Sequence, residues 1–282
     1  MSVSDHIRRA GVVGWPVSHS RSPLVHGYWL KKYAISGSYE RIAIAPENFS
    51  RDFRGLADQG FTGVNVTVPY KQAAFELCDQ HDALAARLRA VNTVVISDAG
   101  KFTGSNTDGF GFIENLRAGA PGWSAASGPA VILGAGGAAR AVIATLCDAG
   151  APVIRLYNRS RDRAETLARE LGGPVQTGDW ADRATGLAGA SLLVNCSSLG
   201  MVNQPPLEIS LDALPVSALV NDIVYTPLHT QLLRAAQARG NRIADGLGML
   251  LHQARPGFAA WFGVMPEVDA GLRAAVMQDG AN

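Results

Sequence analysis

The sequence predicts an α/β protein built from two open α/β domains, and three observations predict it. The chain has 282 residues, a length that suits two domains of ordinary size. Short aliphatic runs alternate with segments of helical periodicity along most of it, the pattern of strands joined by crossover helices. One stretch, Val131-Ile132-Leu133-Gly134-Ala135-Gly136-Gly137-Ala138-Ala139-Arg140, runs three aliphatic residues into glycines. Apolar residues then continue at helical spacing through Val142, Ile143 and Leu146. That order reads as a buried strand, a tight turn and a helix start.

Composition narrows the class. The chain is 47% hydrophobic, 17% charged and 7% aromatic, with a net charge of +1 and no run of like charges. It therefore carries no electrostatic footprint for nucleic acid or for an anionic membrane. The three cysteines, Cys78, Cys147 and Cys196, are far apart, and the six histidines form no paired ligand motif, so neither a disulfide framework nor a metal site is expected. Met1 to Ala10 is polar and lacks the apolar core of a signal peptide. The most apolar stretch, Ala130 to Ile154, is interrupted by glycines, Arg140 and Asp148, so no membrane span is expected. A cytoplasmic protein follows as the expectation.

Taken in order, Gly11 to Trp15 reads as a strand ending in the loop Pro16-Val17-Ser18-His19-Ser20-Arg21. Ser22-Pro23 reads as an N-cap with proline in the first turn, opening a helix to about Tyr33. Tyr39 to Ala45 is a strand, and Pro46 to Asp58 a helix closed by Gly60. In the strand Phe61 to Val68, alternation puts Val64, Val66 and Val68 on one face and Asn65 and Thr67 on the other. Ala73 to Cys78 and Asp82 to Ala90 read as helices. Thr93 to Ile96 and Lys101 to Thr103 read as strands about a Gly100 turn. Asn106-Thr107-Asp108-Gly109 precedes a helix ending near Arg117.

Ala120 to Pro129, rich in Gly, Ser, Ala and Pro, separates this region from the glycine-rich strand. Beyond that strand come a strand at Pro152 to Tyr157, a helix at Arg161 to Leu171, strands at Ser191 to Asn195 and Ala218 to Val224, and a helix at Leu228 to Arg239. This is a βαβ series with a parallel sheet, the Rossmann-type arrangement. Leu247, Leu250, Leu251, Ala254, Phe258, Trp261 and Phe262 lie on one helical face, and a last helix covers Glu267 to Met277. Pro256 removes the donor that would reach His252, which predicts a kink or break there. With no strand after them, these two helices fit either domain.

The turn Gly134-Ala135-Gly136-Gly137-Ala138-Ala139 has the form Gly-x-Gly-x-x-Ala, which brings backbone N–H groups and a helix N-terminus up to a pyrophosphate. About twenty residues on, where an NAD site places a carboxylate, the strand Val153 to Tyr157 ends in Asn158-Arg159-Ser160, with Arg163 one turn into the helix. A carboxylate would repel a 2′-phosphate, whereas an amide, a hydroxyl and two guanidinium groups receive it. The expected cofactor is NADP. In the first domain the strand ends carry Ser20, Ser22, Asn65, Thr67, Lys71, Asn92 and Asp108, a set suited to a small polyhydroxylated acid.

The segments Ser18-His19-Ser20-Arg21-Ser22-Pro23, Asn65-Val66-Thr67-Val68-Pro69-Tyr70-Lys71, Ala90-Val91-Asn92-Thr93, Asn106-Thr107-Asp108-Gly109 and Ala244-Asp245-Gly246-Leu247-Gly248-Met249-Leu250 occur in this order. With the glycine turn and Asn158-Arg159-Ser160, they make the chain resemble the shikimate dehydrogenase family over nearly its whole length. The resemblance implies NADP-linked reduction of 3-dehydroshikimate to shikimate. It implies that the terminal helices return to the first domain, giving a substrate domain of residues 1–112 plus 246–282 and an NADP domain of 113–245. It implies that Ser20 and Ser22 hold the substrate carboxylate, that Thr67, Asn92, Asp108, Tyr225 and Gln253 hold its hydroxyls, and that Lys71 is the acid/base with Asp108 beside it. Gly134, Ala135, Gly136, Gly137, Ala138, Asn158, Arg159, Ser160 and Arg163 would bind the dinucleotide, with Ile223, Gly246 and Met249 near the nicotinamide.

Carbonyl reduction by hydride needs a proton donor for the developing alkoxide, and Lys71 is suited to that role. Three departures stand out: Cys196 where the family often has threonine, Thr226 and His229 at variable positions, and Pro256 near Gln253. Two other readings compete. One is a quinate/shikimate dehydrogenase using NAD; the other is a dinucleotide-sensing paralogue without turnover. Ser22 and the basic Arg159 and Arg163 disfavour the first, and the intact Lys71 and Asp108 disfavour the second. Partners are limited to the small-molecule substrate, with a homodimer compatible with the sequence.

Overall fold

The computed structural model of the chain describes residues 7–278. Met1 to His6 of the polar N-terminal stretch, and the last four residues of the expected substrate domain, lie outside the described residues. In chain order the elements begin β1 (Arg8–Gly14), α1 (Ser22–Lys32), β2 (Gly37–Ala43), α2 (Phe49–Arg54), β3 (Phe61–Val66), α3 (Lys71–Leu77) and β4 (Gln80–His81). They continue α4 (Ala83–Leu88), β5 (Thr93–Ile96), β6 (Phe102–Ser105), α5 (Asp108–Gly119), β7 (Ala130–Leu133), α6 (Gly137–Asp148) and β8 (Ile154–Tyr157). Then follow α7 (Arg161–Leu171), β9 (Val175–Gly178), β10 (Leu192–Asn195), β11 (Leu219–Asp222), α8 (Gln231–Ala238), β12 (Arg242–Ala244), α9 (Gly246–Phe262) and α10 (Ala270–Gln278).

These elements form two compact units, one running to Thr107 and resuming at Gln253, the other Asp108–His252. The sequence places the breaks at residues 112 and 246. By contact they fall at Thr107 and Gln253, because α5 and the start of α9 stay with the second sheet. There the Asn115 amide donates to the Asp245 carbonyl at 2.7 Å.

The first unit has a six-stranded sheet in the order β2-β1-β3-β5-β6-β4. β2, β1 and β3 are parallel, whereas β5 runs antiparallel to both β3 and β6, so the sheet is mixed. On one face Val64 and Val66 join a core with Phe49, Phe53, Tyr70 and Phe102. On the other, Gly63 lies beneath Trp261, whose Nε1 donates to the Val94 carbonyl at 2.9 Å. A Cβ at Gly63 would sit 2.0 Å from that nitrogen, so only glycine fits. Val68 does not share the face of Val64 and Val66. The strand ends at Val66, the chain turns through a Tyr70 N–H to Thr67 carbonyl bond, and Val68 is 70% exposed.

Ser22 is not the cap of α1. It is the first helical residue, Arg21 holds the N-cap position, and the Ser22 side chain is buried instead. The segment from Pro46 is a 3-10 turn followed by the short α2. No break occurs at Pro256: α9 is continuous through it. Proline removes one helical donor, and the burial of Phe258, Trp261 and Phe262 beyond it carries the helix on. Phe258 packs on Trp29 of α1 with ring centroids 5.3 Å apart. α10 also packs on α1, through Asp269, which accepts from Lys32 Nζ at 2.7 Å and caps the Leu272 N–H at 2.7 Å.

The second unit has a wholly parallel sheet, β12-β11-β10-β7-β8-β9. This is the doubly wound order, and its reversal falls between β7 and β10, where such sheets bind ligands beyond their carboxyl ends. Among the described residues no helix is long and apolar enough to cross a membrane, and no cluster of metal-ligating side chains occurs.

Candidate active site

In the first unit the expected polar residues gather at the carboxyl ends of β1 and β3 and the amino end of β5. The two strand ends are tied together: Thr67 N–H donates to the Val13 carbonyl at 2.9 Å and Trp15 N–H to the Val68 carbonyl at 3.2 Å. Lys71 opens α3, and its carbonyl accepts the Val91 N–H at 2.9 Å, which holds the helix start beside Asn92. In the loop after β1, Ser20 Oγ accepts the Ser22 N–H at 3.3 Å, and Arg41 clamps the Ser20 carbonyl at 2.8 and 3.2 Å.

Asn92, 2% exposed, is the hub. Its Oδ1 accepts the Thr107 N–H at 2.8 Å and the Thr93 hydroxyl at 3.1 Å, and its Nδ2 donates to Gln253 Oε1 at 3.3 Å. The Thr107 hydroxyl donates to the Gln253 carbonyl at 2.8 Å, so the part of α9 that carries Gln253 is fixed to this hub. The preceding helix, α4, is closed by Arg89 in the left-handed conformation, three residues before Asn92.

Sequence reasoning placed Asn65 in the polar set without a specific role and missed Tyr39 altogether. Asn65 Nδ2 donates to the Asn92 carbonyl at 3.1 Å and to Thr93 Oγ1 at 3.0 Å, while its Oδ1 accepts the Tyr39 hydroxyl at 2.6 Å. Burial and the Asn65 contact fix Tyr39 as a neutral phenol, its pKa pushed well up by burial, with the Ser22 hydroxyl pulling the other way. A continuous polar line thus runs from Ser22 through Tyr39 and Asn65 to Asn92. The alternation of β3 put Asn65 on the face opposite Val64 and Val66, which was the available signal. Tyr39 gave none. His19 is an exposed loop residue.

The second unit holds the glycine turn at the sheet reversal. Gly134 follows β7 at φ 106°, and a Cβ there would meet the Ser197 N and the Cys196 carbonyl group at 3.0–3.1 Å. Gly136 is the N-cap of α6 and makes no side-chain cap bond. Gly136 and Gly137 face open space, with nothing within 4 Å of a Cβ at either. Unsatisfied helix N–H groups beside an open, side-chain-free concavity suit a pyrophosphate.

At the end of β8, Arg161 is committed to Glu165 at 2.8 Å and Asp179 at 2.5 Å. Arg159 and Arg163 are exposed and make no ion pair among the described residues. Ser160 holds the N-cap position of α7 without capping it, and Asn158 Nδ2 donates to its carbonyl at 2.8 Å. The residue directly after β8 is Asn158 rather than a carboxylate, so the donors here suit a 2′-phosphate. Ala135 and Ala138 complete the turn.

Farther along the same edge, Gly246 is buried against the backbone after β11: a Cβ there would lie 2.3 Å from the Ile223 carbonyl oxygen. Ile223, Tyr225 and Met249 are partly exposed around it, and Asp108 opens α5. Sequence reasoning gave no role to Asn195 and Asp222, both fully buried at the ends of β10 and β11.

Comparison with known proteins is consistent over nearly the whole chain. Residues 12–94 match the shikimate dehydrogenase substrate binding domain, residues 122–200 the shikimate/quinate 5-dehydrogenase family, and residues 246–276 the shikimate 5′-dehydrogenase C-terminal domain. A shikimate dehydrogenase (NADP(+)) of Paramagnetospirillum magneticum is 58% identical over 98% of this chain and 100% of its own. The shikimate 5-dehydrogenase of Thermus thermophilus, solved with NADP(H) and shikimate, is 36% identical with a TM-score of 0.85, covering 96% of this chain and 99% of its own. The quinate dehydrogenase of Corynebacterium glutamicum, solved with NAD, is 32% identical with a TM-score of 0.87 over 96% of this chain and 99% of its own.

Proposed function

The chain belongs to the shikimate dehydrogenase family, and we propose that it performs the reversible NADPH-dependent reduction of 3-dehydroshikimate to shikimate in aromatic amino-acid biosynthesis. The observation that carries this reading is the polar array of the first unit, in which Lys71 starts its helix beside the Asn92 hub.

Bound NADPH supplies the hydride. Lys71 gives a proton to the alkoxide oxygen as it forms and takes it back in the reverse direction, the work of a general acid and base. Ser20 and Ser22 receive the substrate carboxylate. Thr67, Asn92, Asp108, Tyr225 and Gln253 receive its hydroxyls. Gly134 to Ala138 cradle the pyrophosphate, and Asn158, Arg159, Ser160 and Arg163 take the 2′-phosphate. Ile223, Gly246 and Met249 border the nicotinamide. The protein is assigned to the cytoplasm, and a homodimer is the oligomeric state to test by sedimentation.

Likeness to a quinate dehydrogenase that binds NAD keeps one second reading in view. Initial rates with shikimate and quinate, each with NADP and NAD, separate the two. Shikimate with NADP is expected to be the best pair. Quinate with NAD as the best pair would replace this reading, and no turnover with any pair would leave a dinucleotide-binding paralogue.

A further inference from the structure

Asn195 and Asp222 end adjacent parallel strands and are register partners in the second sheet. Both are 0% exposed. Asn195 Nδ2 donates to Asp222 Oδ1 at 2.9 Å and to the Leu199 carbonyl at 3.0 Å. Asn195 Oδ1 accepts the Ser197 N–H at 3.0 Å and the Ser197 hydroxyl at 2.7 Å. Asp222 Oδ1 also accepts the Val224 N–H at 3.0 Å, and its Oδ2 accepts the Thr230 hydroxyl at 2.7 Å. Thr230 Oγ1 in turn caps α8 by accepting the Leu233 N–H at 3.3 Å.

One carboxylate thus closes three pieces of backbone: the turn at 196–199, the segment at 223–225 and the start of α8. A second tie, Val202 N–H to the Thr226 carbonyl at 3.0 Å, joins the same two loops. The first loop presses on the glycine turn, since Cys196 and Ser197 line the space against Gly134. The second carries Ile223 and Tyr225. Asp222 makes no ion pair with any cation among the described residues; its three partners are neutral donors. The titratable group facing it is the buried Cys196 thiol just beyond β10, itself held neutral by burial and by the nearby carboxylate.

A buried, unpaired carboxylate is expensive, and the geometry points to what it does here. We propose that Asp222 is a positioning residue of the cofactor half: its ionised carboxylate is the shared acceptor that fixes the Cys196–Leu199 turn and the Ile223–Tyr225 segment for NADP(H) binding. The proposal rests on the cofactor assignment made above. An amide could not replace the carboxylate silently. Asn at this position accepts at Oδ1 but presents an N–H to Thr230 Oγ1, whose hydroxyl proton then loses its acceptor. Burial raises the Asp222 pKa to about 6, with Thr230, Val224 and Asn195 opposing the rise. The acceptor is therefore lost by protonation within reach of ordinary assay buffers.

The test is NADPH binding, followed by the change in nicotinamide fluorescence in wild type, Asp222→Asn and Thr230→Val from pH 5 to 8, together with the shikimate KM at saturating NADP. Asp222→Asn is expected to weaken NADPH binding roughly tenfold at pH 7.5, with the shikimate KM rising by a clearly smaller factor through Tyr225. Wild-type affinity is expected to decline below about pH 6, and the variant to be nearly flat over that range. Thr230→Val removes one of the three donors and moves affinity in the same direction by a smaller factor. It decides the matter if Asp222→Asn does not fold. Equal NADPH affinity in wild type and variants, or equal losses in cofactor and shikimate terms, would overturn the proposal. Failure of wild type itself to bind NADPH would instead overturn the cofactor assignment.

Discussion

The His26 imidazole lies flat on the Tyr39 ring, with centroids 3.9 Å apart and planes 1° from parallel. It is fully buried, edged by Trp29, Phe258 and Trp261. Burial lowers its pKa from 6.5 to about 3, and the neighbouring Asn65 offsets only part of that. The native state therefore keeps this ring neutral while the unfolded chain protonates it near pH 6.5. Stability of the first unit is complete above pH 6.5 and is lost progressively as pH falls from there toward 3. Between pH 7 and 5 this one group removes about 2 kcal/mol. Urea unfolding at the two pH values, in wild type and His26→Phe, should show the acid loss shrinking by that amount in the variant. An unchanged acid slope would refute the assignment.

Asp222, in the second unit, has the opposite sign. Its folded pKa of about 6 lies above the ordinary 3.8 because burial disfavours the charge. Between these values the native state binds a proton that the unfolded chain does not. Its contribution is most favourable in acid and falls as pH rises through about 6, at a final cost of about 3 kcal/mol. Hydrogen exchange, corrected for the intrinsic pH dependence of amide rates, should show β10 and β11 gaining protection from pH 7 to 5 while β3 and α1 lose it. Parallel changes in both sets would contradict these linked assignments.

Much of the molecule was legible in the sequence wherever the signal was local. The glycine turn at Gly134, the change to basic residues after Tyr157 and the apolar face of Phe258 and Trp261 each lie within one short segment. What escaped is non-local or very short. His26, Tyr39 and Asn65 come together from a helix and two strands that no periodicity pairs. Asn195 and Asp222 meet only through strand register. β4, β9 and β12 have two to four residues, too few for alternation to declare itself. Pro256 misled because local propensity was outweighed by aromatic burial farther along the same helix.

Lys71→Ala tests the proton transfer. Loss of a general acid typically costs about 10²–10⁴-fold in rate. The link from α3 to Val91 runs through the Lys71 backbone carbonyl, which alanine keeps. The variant should therefore fold, retain NADPH affinity within about twofold and lose kcat by roughly the general-acid factor. Near wild-type kcat would remove Lys71 from the mechanism.

Replacing both Arg159 and Arg163 by alanine tests the cofactor choice. Among the described residues neither guanidinium is engaged by a carboxylate, so neither replacement releases a buried partner there. Charge-assisted bonds to a phosphate are worth about 1.5–3 kcal/mol each. NADP affinity should fall by at least roughly tenfold while NAD affinity changes little. Equal losses for the two dinucleotides would show that these arginines do not read the 2′-phosphate.

Gly136→Ala separates binding from folding at the pyrophosphate turn. Gly136 has φ −90° and ψ −172°, a conformation alanine adopts, and a Cβ there meets nothing within 4 Å. Its cost to α6 is that of exchanging glycine for alanine at an N-cap, about 1 kcal/mol or less. Yet the methyl group enters the concavity left free for the phosphates, where backbone must approach closely. Gly134→Ala differs in kind. At φ 106°, with Cys196 and Ser197 backbone atoms at 3.0–3.1 Å, alanine strains the fold itself. Thermal unfolding combined with NADPH titration should therefore give two signatures. Gly136→Ala keeps nearly the wild-type Tm and loses NADPH affinity, whereas Gly134→Ala loses both. If Gly136→Ala bound NADPH as well as wild type, the open face of this turn would not be where the pyrophosphate sits.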